Sequence, residues 1–215
     1  MIPLFHDFDG ETVVVFGGGS VGARKARRFA REASVVVVGP ALPADDYGGA
    51  ETVRAAPDPD DVPGWFDRTE PALAVAATDV EAVNEAVAAA AANRGVLVNR
   101  ADRAGGRDAG SVVVPATVRD GDVAVAVSTG GQSPALAREL RKRIEAEIDG
   151  AGELAAATAA TRAELKSRGV APDRRRDAVR AAVRSPRVWK DLGAGGTKPR
   201  RTVDAVVESV LGETE

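Results

Sequence analysis

The fold of this chain is decided by residues 13–25, which read VVVFGGGSVGARK. The β-branched and aromatic run at 13–16 is typical of a buried strand. Three consecutive glycines end that run, and a pattern typical of a helix begins at Ser20. The stretch therefore predicts a strand, a tight glycine turn and a helix, which is the opening unit of an α/β fold.

The glycines of this turn fit the pattern G-x-G-x-x-G through Gly17, Gly19 and Gly22. Gly17 allows the tight turn, Gly19 lets backbone N–H groups approach a pyrophosphate, and Gly22 lets the helix pack against the strand. A helix N-terminus also offers unpaired N–H donors and a partial positive charge to phosphate. We predict dinucleotide binding here, and the alternative is a purely structural strand–helix turn.

The composition limits the classes of protein to which the chain can belong. The 215 residues suit one large domain or a domain with an appendage. Cysteine is absent, which excludes disulfides and thiolate chemistry and fits a cytoplasmic protein. No run approaches the roughly 20 apolar residues of a membrane span, and the first residues do not resemble a signal peptide. We therefore predict no membrane partner.

Charge is unevenly distributed along the chain. Residues 1–134 carry 12 basic and 19 acidic residues, a net charge of −7, whereas residues 135–215 carry 17 and 13, a net charge of +4. A basic C-terminal part suits an acidic small molecule, nucleic acid or a solvated surface. Its basic residues alternate with acids and have few aromatic neighbours for base stacking, so we predict no nucleic-acid partner.

The rest of the first half alternates strands and helices. Further strands are predicted at 34–38, 52–56, 73–77 and 96–98. Helices are predicted at 20–31 and from 78 to 94, whereas 43–71, with five prolines, is expected to be mostly loop. This alternation predicts a parallel sheet covered by helices on both faces.

Two finer predictions concern these helices. In the first helix, the apolar residues Val21, Ala26 and Phe29 are expected to face inward, and Lys25 is expected to face solvent with the neighbouring arginines. In the second, the tetrapeptide at 78–81 fits a capping box, which predicts that the helix begins there.

Polar residues follow the last of these strands. Asn99 and Asp102 come just after 96–98, and in open parallel sheets ligands bind beyond the carboxyl ends of the strands. A carboxylate there can accept a proton, orient a substrate or cap a turn, and its position alone leaves these alternatives open. After the second strand, the acid that usually binds the ribose is replaced by Gly39-Pro40-Ala41-Leu42. No arginine follows to bind a 2′-phosphate, which favours NAD over NADP.

The second half begins with a predicted hairpin. Runs at 112–114 and 123–127 flank residues 119–122, which contain Asp-Gly, so an antiparallel pair is expected to extend the sheet. Ser133 and Pro134 then predict the N-cap and first residue of a helix that ends near residue 148. The glycines and hydroxyls at 128–133 form a second candidate anion site. Helices are expected at 152–168, 173–184 and 201–211.

Four ordered motifs, at 17–25, 76–79, 98–102 and 125–138, resemble a known family. The chain is similar over about residues 2–145 to the siroheme synthase N-terminal module, the precorrin-2 dehydrogenase and sirohydrochlorin ferrochelatase family. The resemblance implies an NAD-binding Rossmann domain at 1–110, a small α+β dimerisation region at 111–148 and a helical C-terminal domain at 149–215. It also implies a cytoplasmic homodimer.

The resemblance implies NAD-dependent oxidation of precorrin-2 to sirohydrochlorin, and it leaves open whether the protein also inserts a metal. Asp102 matches the essential acid of the family, and no resident metal site is predicted. The implied cofactor-binding residues are Gly17, Gly18, Gly19, Ser20, Val21, Gly22, Ala41, Leu42 and Thr78. The implied substrate-binding residues are Asn99, Ser128, Thr129, Gly130, Gly131, Ser133 and Arg138. The alternative is a non-enzymatic NAD(H)-sensing Rossmann module, which would need only the first motif.

Overall fold

The computed structural model describes residues 2–43, 46–103, 110–192 and 198–212. The chain divides into two compact units, Met1–Val114 and Pro115–Glu215. The division into three domains at residues 110 and 148 stays a prediction. Most of the glycine-rich loop between Arg103 and Gly110 lies outside the described residues.

The first unit is built on a five-stranded parallel sheet. Its strands are β1 (Thr12–Phe16), β2 (Ser34–Gly39), β3 (Glu51–Arg54), β4 (Leu73–Ala76) and β5 (Leu97–Arg100). Its helices are α1 (Ser20–Phe29), α2 (Val62–Thr69) and α3 (Glu81–Arg94). The strand order is β3-β2-β1-β4-β5, so the chain moves outward from β1 first to one side and then to the other. The topological switch point therefore lies between β1 and β4, as in a Rossmann fold, and the predicted fold class is confirmed.

The side chains of the central strand β1 are buried on both faces of this sheet. Val14 and Phe16 belong to the core cluster that includes residues of α2 and α3, whereas Val13 and Val15 pack with Ala23 and the rest of the α1 side. A strand buried on both faces needs a continuous apolar run, which explains the sequence at 13–16.

The helices of the first unit differ from the sequence-based expectation in two places. Helix α2 occupies part of the expected loop, because Pro63 sits in the first turn, where its missing N–H costs nothing, and Phe66 is buried beside Phe16. The predicted capping box before α3 is wrong: the helix begins at Glu81, and the N-cap Val80 has no side-chain cap.

The second unit begins with a separate antiparallel hairpin of β6 (Ala116–Asp120) and β7 (Val123–Val127). Asp120 pairs with Val123 across the Gly121-Asp122 turn, so residues 116–120 lie opposite 123–127. The prediction of a strand at 112–114 is therefore wrong. Val112 instead packs against the core of the first unit, and the hairpin does not join the parallel sheet.

Five helices complete the second unit: α4 (Pro134–Glu147), α5 (Ala151–Ser167), α6 (Pro172–Arg184), α7 (Pro186–Asp191) and α8 (Lys198–Gly212). Helices α5 to α8 share a core in which Leu154, Leu165, Val188 and Val203 are buried. Helix α4 contributes no buried residue. Among the helices that the structure describes, none combines the length and apolar character needed to cross a bilayer.

Candidate functional site

The turn after β1 requires glycine at two positions because backbone approaches it closely. Gly17 has a φ of +117°, and a Cβ placed on it would lie 2.3 Å from the carbonyl oxygen of Ala77. A Cβ on Gly22 would lie 1.8 Å from the carbonyl oxygen of Gly17. The backbone of the turn therefore contacts Ala77, which follows β4, and it also contacts the first turn of α1.

Gly19 differs from these two glycines. It is the exposed N-cap of α1, and a Cβ placed on it would meet no atom within 4 Å. The first helical hydrogen bond is from the N–H of Ala23 to the carbonyl of Gly19, so the N–H groups of Ser20, Val21 and Gly22 precede the helical ladder. Open space beside free N–H donors suits a pyrophosphate, and the first turn carries no acidic residue to repel one.

The loop after β2 closes over this turn. A Cβ on Gly18 would lie 2.3 Å from the carbonyl oxygen of Ala41 and 2.8 Å from the Leu42 side chain. The buried Tyr47 hydroxyl donates to the carbonyl of Gly18 at 2.6 Å and fixes the same contact. The structure thus brings Ala41 and Leu42 to the glycine turn. Tyr47, the one tyrosine of the chain, was not among the residues predicted from the sequence.

Thr78 lies just beyond the contact between Gly17 and Ala77. Its hydroxyl donates to Oδ1 of Asn84 at 2.8 Å, and Asn84 Nδ2 donates back to the Thr78 carbonyl at 2.9 Å. Asn84 is buried, so this exchange fixes the segment after β4. The Thr78 side chain is thus used within the loop rather than as a helix cap, which explains the later start of α3.

Asp102 follows β5 at the same edge of the sheet. The Ala101 N–H donates to the carbonyl of Ala76 at 2.9 Å, which anchors this segment beside β4. Strand β4 separates β5 from β1, so the two strand ends are about 10 Å apart, or two strand spacings. The predicted proton acceptor and the glycine turn therefore flank the switch point.

Arg100 holds the Asp102 carboxylate at this edge. Its Nε donates to Asp102 Oδ1 at 2.8 Å and its Nη2 to Oδ2 at 2.5 Å, and Nη2 also lies 3.0 Å from Oε1 of Glu81. The side chains of Arg100 and Asp102 are only 11% and 17% exposed. These hydrogen bonds lower the pKa of Asp102, against the opposing effect of burial. Arg100 was not among the site residues predicted from the sequence.

Asn99 is bonded within the protein through both ends of its amide. Lys25 Nζ donates to Asn99 Oδ1 at 2.8 Å, and Asn99 Nδ2 donates to the carbonyl of Val112 at 2.7 Å. The prediction that Lys25 faces solvent is therefore wrong. Burial, with smaller contributions from Arg28 and Arg24, lowers the pKa of Lys25 to about 8.

The remaining predicted substrate residues lie in the second unit, at the start of α4. Ser133 is the predicted N-cap, and its Oγ accepts from the N–H of Leu136 at 3.3 Å. The Thr129 hydroxyl donates to the carbonyl of Ser133 at 3.0 Å and accepts from its N–H at 3.2 Å. Arg138 is exposed, and it has no ion pair within the part of the chain that the structure describes.

The turn that leads from Ser128 to Ser133 contains two glycines with positive φ and a hydrogen bond from the backbone to a serine side chain. Gly130 and Gly131 have φ values of +65° and +85°, and the Gly130 N–H donates to Ser128 Oγ at 3.3 Å.

Across residues 2–43, 46–103, 110–192 and 198–212, no group of three or more histidine, aspartate or glutamate side chains could hold a metal ion. The absence of a resident metal site stays a prediction.

Known proteins resemble the chain in sequence. Residues 4–116 match a family model described as "Putative NAD(P)-binding", and residues 120–147 match one described as "Sirohaem biosynthesis protein central". A siroheme synthase of Stutzerimonas stutzeri is 38% identical over 174 residues, covering 78% of this chain and 36% of that protein. A siroheme synthase of Pseudomonas putida is 33% identical over 214 residues, covering 96% and 44%. The chain thus spans less than half the length of these relatives.

A solved structure titled "SirC, precorrin-2 dehydrogenase" has the same fold, with a TM-score of 0.69 over 97% of this chain and 100% of that one, at 21% identity. These comparisons do not support the NAD-sensing alternative, and they confirm the predicted nicotinamide cofactor at the level of the family, whose model is described as NAD(P)-binding. The chain belongs to this NAD(P)-binding family, and its predicted kinship with the siroheme synthases is confirmed.

Proposed function

We propose that this protein oxidises precorrin-2 to sirohydrochlorin in siroheme biosynthesis, with NAD⁺ as the oxidant. The observation that carries the proposal is the position of Asp102, which lies with the glycine turn at one edge of the sheet, on either side of β4. The names of the relatives, siroheme synthase and precorrin-2 dehydrogenase, support this substrate.

The proposed cofactor site is formed by the glycine turn at 17–22, by Ala41 and Leu42, and by Thr78. The open space at Gly19 and the free N–H groups of α1 suit the pyrophosphate. The backbone after β2 would hold the ribose, since no acidic side chain stands at 39–42. No arginine stands at 39–42 to bind a 2′-phosphate, which favours NAD over NADP. Bound NAD⁺ supplies the hydride acceptor.

Asp102 is proposed to accept the proton that leaves precorrin-2 when its hydride is removed. The carboxylate suits this role because Arg100 keeps it ionised, and only the ionised form can accept a proton. Asn99 already uses both ends of its amide. We therefore propose that it serves the substrate indirectly, by holding the end of β5 in place.

The start of α4 is proposed to bind the carboxylates of the substrate. The partial positive charge of this helix N-terminus and the exposed, positively charged Arg138 both suit an anionic ligand. The residues proposed for this role are Ser128, Thr129, Gly130, Gly131, Ser133 and Arg138.

The homodimer and the cytoplasmic location stay proposals. Support for a dimer comes from α4, whose apolar stripe of Leu136, Leu140, Ile144 and Ile148 contains no buried residue. Such a stripe at intervals of four residues forms one face of a helix and suits a partner surface. The absence of cysteine supports a cytoplasmic location.

The proposal is tested by mixing the purified protein with precorrin-2 and NAD⁺ and following NADH formation. Asp102→Asn is expected to lower kcat by roughly 10²- to 10⁴-fold, the usual contribution of a positioned proton acceptor, and to leave NAD affinity nearly unchanged. Asp60→Asn, which changes an exposed acid in a turn of the same unit, is the matched control. Normal turnover by Asp102→Asn would refute the role of Asp102, and no NADH from the wild type would refute the activity.

Metal insertion into sirohydrochlorin is a separate activity that stays open. It is tested by adding Co²⁺ or Fe²⁺ to sirohydrochlorin with and without the protein and following the absorption spectrum. The Asp102→Asn variant then shows whether the same carboxylate serves both reactions.

A further inference from the structure

We propose that Arg100 is a positioning residue for Asp102, because its guanidinium holds both carboxylate oxygens and so fixes the direction in which the carboxylate faces. The inference rests on the proposed function of Asp102 as the proton acceptor. It goes further by assigning a role to a residue that makes no proposed contact with substrate or cofactor.

The backbone makes Arg100 a rigid support. It is the last residue of β5 and is in register with Ala76 of β4, so the sheet fixes its position. Asp102 comes two residues later, beyond the end of the strand, and the Ala101 N–H is the sheet contact between them. Beyond the strand, the carboxylate is held chiefly by two side-chain hydrogen bonds from Arg100, with a smaller contribution from its own backbone N–H.

The two hydrogen bonds between Arg100 and Asp102 require the forked side chain of an arginine. Nε and Nη2 of Arg100 approach different oxygens of Asp102, at 2.8 and 2.5 Å. Two parallel hydrogen bonds set the plane of the carboxylate as well as its distance. A lysine ammonium is a point charge that cannot reproduce this fork, so Arg100→Lys separates the effect of charge from that of orientation.

Among the described residues, the other charged groups near the pair are on α3 and at Arg103. Glu81 accepts from Nη2 of Arg100 at 3.0 Å and from Nη2 of Arg103 at 2.7 Å, and Arg103 also reaches Glu85 at 3.3 Å. Glu81 thus orients Arg100 from the helix side. Arg103 carries the same charge as Arg100 and shares its partner Glu81, and within the described residues it is not bonded to Asp102. Arg103→Gln is therefore a matched control.

The first test needs neither substrate nor cofactor. The protein is labelled with ¹³C at the aspartate carboxyl groups and titrated by NMR, and the spectrum of Asp102→Asn identifies the signal of Asp102. Arg100→Gln is expected to raise the pKa of Asp102, Arg100→Lys to raise it less, and Arg103→Gln to leave it close to the wild-type value. A wild-type titration of Asp102 in Arg100→Gln would overturn the inference.

The second test is kinetic and distinguishes orientation from charge. Both Arg100→Gln and Arg100→Lys are expected to lower kcat by roughly 10- to 100-fold, as misplacing a reacting group does, with KM for NAD⁺ unchanged. Arg103→Gln is expected to retain wild-type kcat. Wild-type kcat in Arg100→Lys would overturn the orientation role. If the wild type forms no NADH, the dehydrogenase proposal fails instead, and the NMR titration still tests the pair.

Discussion

At the scale of single residues, the hydrogen bond from Lys25 to Asn99 links α1 to the end of β5, and burial of the Lys25 ammonium costs part of its hydration free energy. Burial lowers its pKa to about 8, whereas an unfolded lysine titrates near 10.5. Between these two values the unfolded chain binds more protons than the folded one. The stability contributed by this group therefore rises with pH from about 8 to 10.5, and below pH 8 the full penalty of the buried charge is present.

We expect Lys25→Met to remove this pH dependence. The free energy of unfolding, measured in urea between pH 7 and 10, should rise for the wild type relative to the variant, by at most about 1.4 kcal/mol per pH unit for one proton. Lys142→Met changes an exposed lysine of α4 and serves as the control, for which the difference should stay flat. Parallel curves for the wild type and Lys25→Met would show that Lys25 titrates normally.

Residues in a recognisable motif were easier to select from the sequence than residues that hold others in place. Asp102 was selected because it follows a parallel strand and matches the essential acid of the family that the chain resembles, and its role stays a prediction. Lys25 was missed because helical periodicity places a long side chain by its Cα, and its ammonium can still reach inward to Asn99. Tyr47 was missed because its partner, the carbonyl of Gly18, is distant in sequence, and Arg100 was missed because sequence spacing does not show which way its guanidinium points.

At the scale of elements, the strand–turn–helix unit makes different demands on two of its glycines. Gly22 lies against the carbonyl of Gly17, so a methyl group there forces the helix away from the turn. Gly19 has ordinary backbone angles and open space around it, so a methyl group there leaves the fold intact and projects where a pyrophosphate would approach.

We expect Gly22→Ala to destabilise the protein by about 3 kcal/mol, because overpacking against backbone cannot relax easily. Gly19→Ala should change the free energy of unfolding by no more than about 0.5 kcal/mol and weaken NAD binding about 10-fold. Thermal unfolding measures the first effect, and calorimetric titration with NAD⁺ measures the second. Unchanged NAD affinity in Gly19→Ala would contradict the proposed pyrophosphate position.

Elements with strong local signals were predicted well, and those that depend on distant contacts were not. β1 and α1 follow from the glycine turn, and α4 follows from Ser133 and Pro134. Helix α2 was missed because Pro63 and the prolines on either side of the helix read as loop, although Phe66 packs against Phe16 in the core. The first hairpin strand was misplaced because three valines at 112–114 have high strand propensity, whereas Val112 packs against the core of the first unit and the strand begins at Ala116.

At the scale of the whole molecule, each unit has its own hydrophobic core. The first unit packs helices on both faces of the parallel sheet, and the second packs α5 to α8 around Leu154 and Leu165. Independent cores mean that each unit can be perturbed without unfolding the other. Helix α4 contributes no buried residue to either core. Its apolar face can therefore be tested as an interface.

The homodimer is the prediction that this face allows us to test. Leu136 on α4 is 50% exposed, and we expect Leu136→Asp to convert the protein from twice the mass of the chain to its single mass in sedimentation equilibrium. Burying a charge at an interface without a partner costs several kcal/mol, which is enough to dissociate a dimer of ordinary affinity. Val183→Asp, at a 41% exposed apolar position on α6, is the control and should stay dimeric. A wild-type protein that sediments as a single chain would refute the dimer, and dissociation by Val183→Asp alone would place the interface on α6.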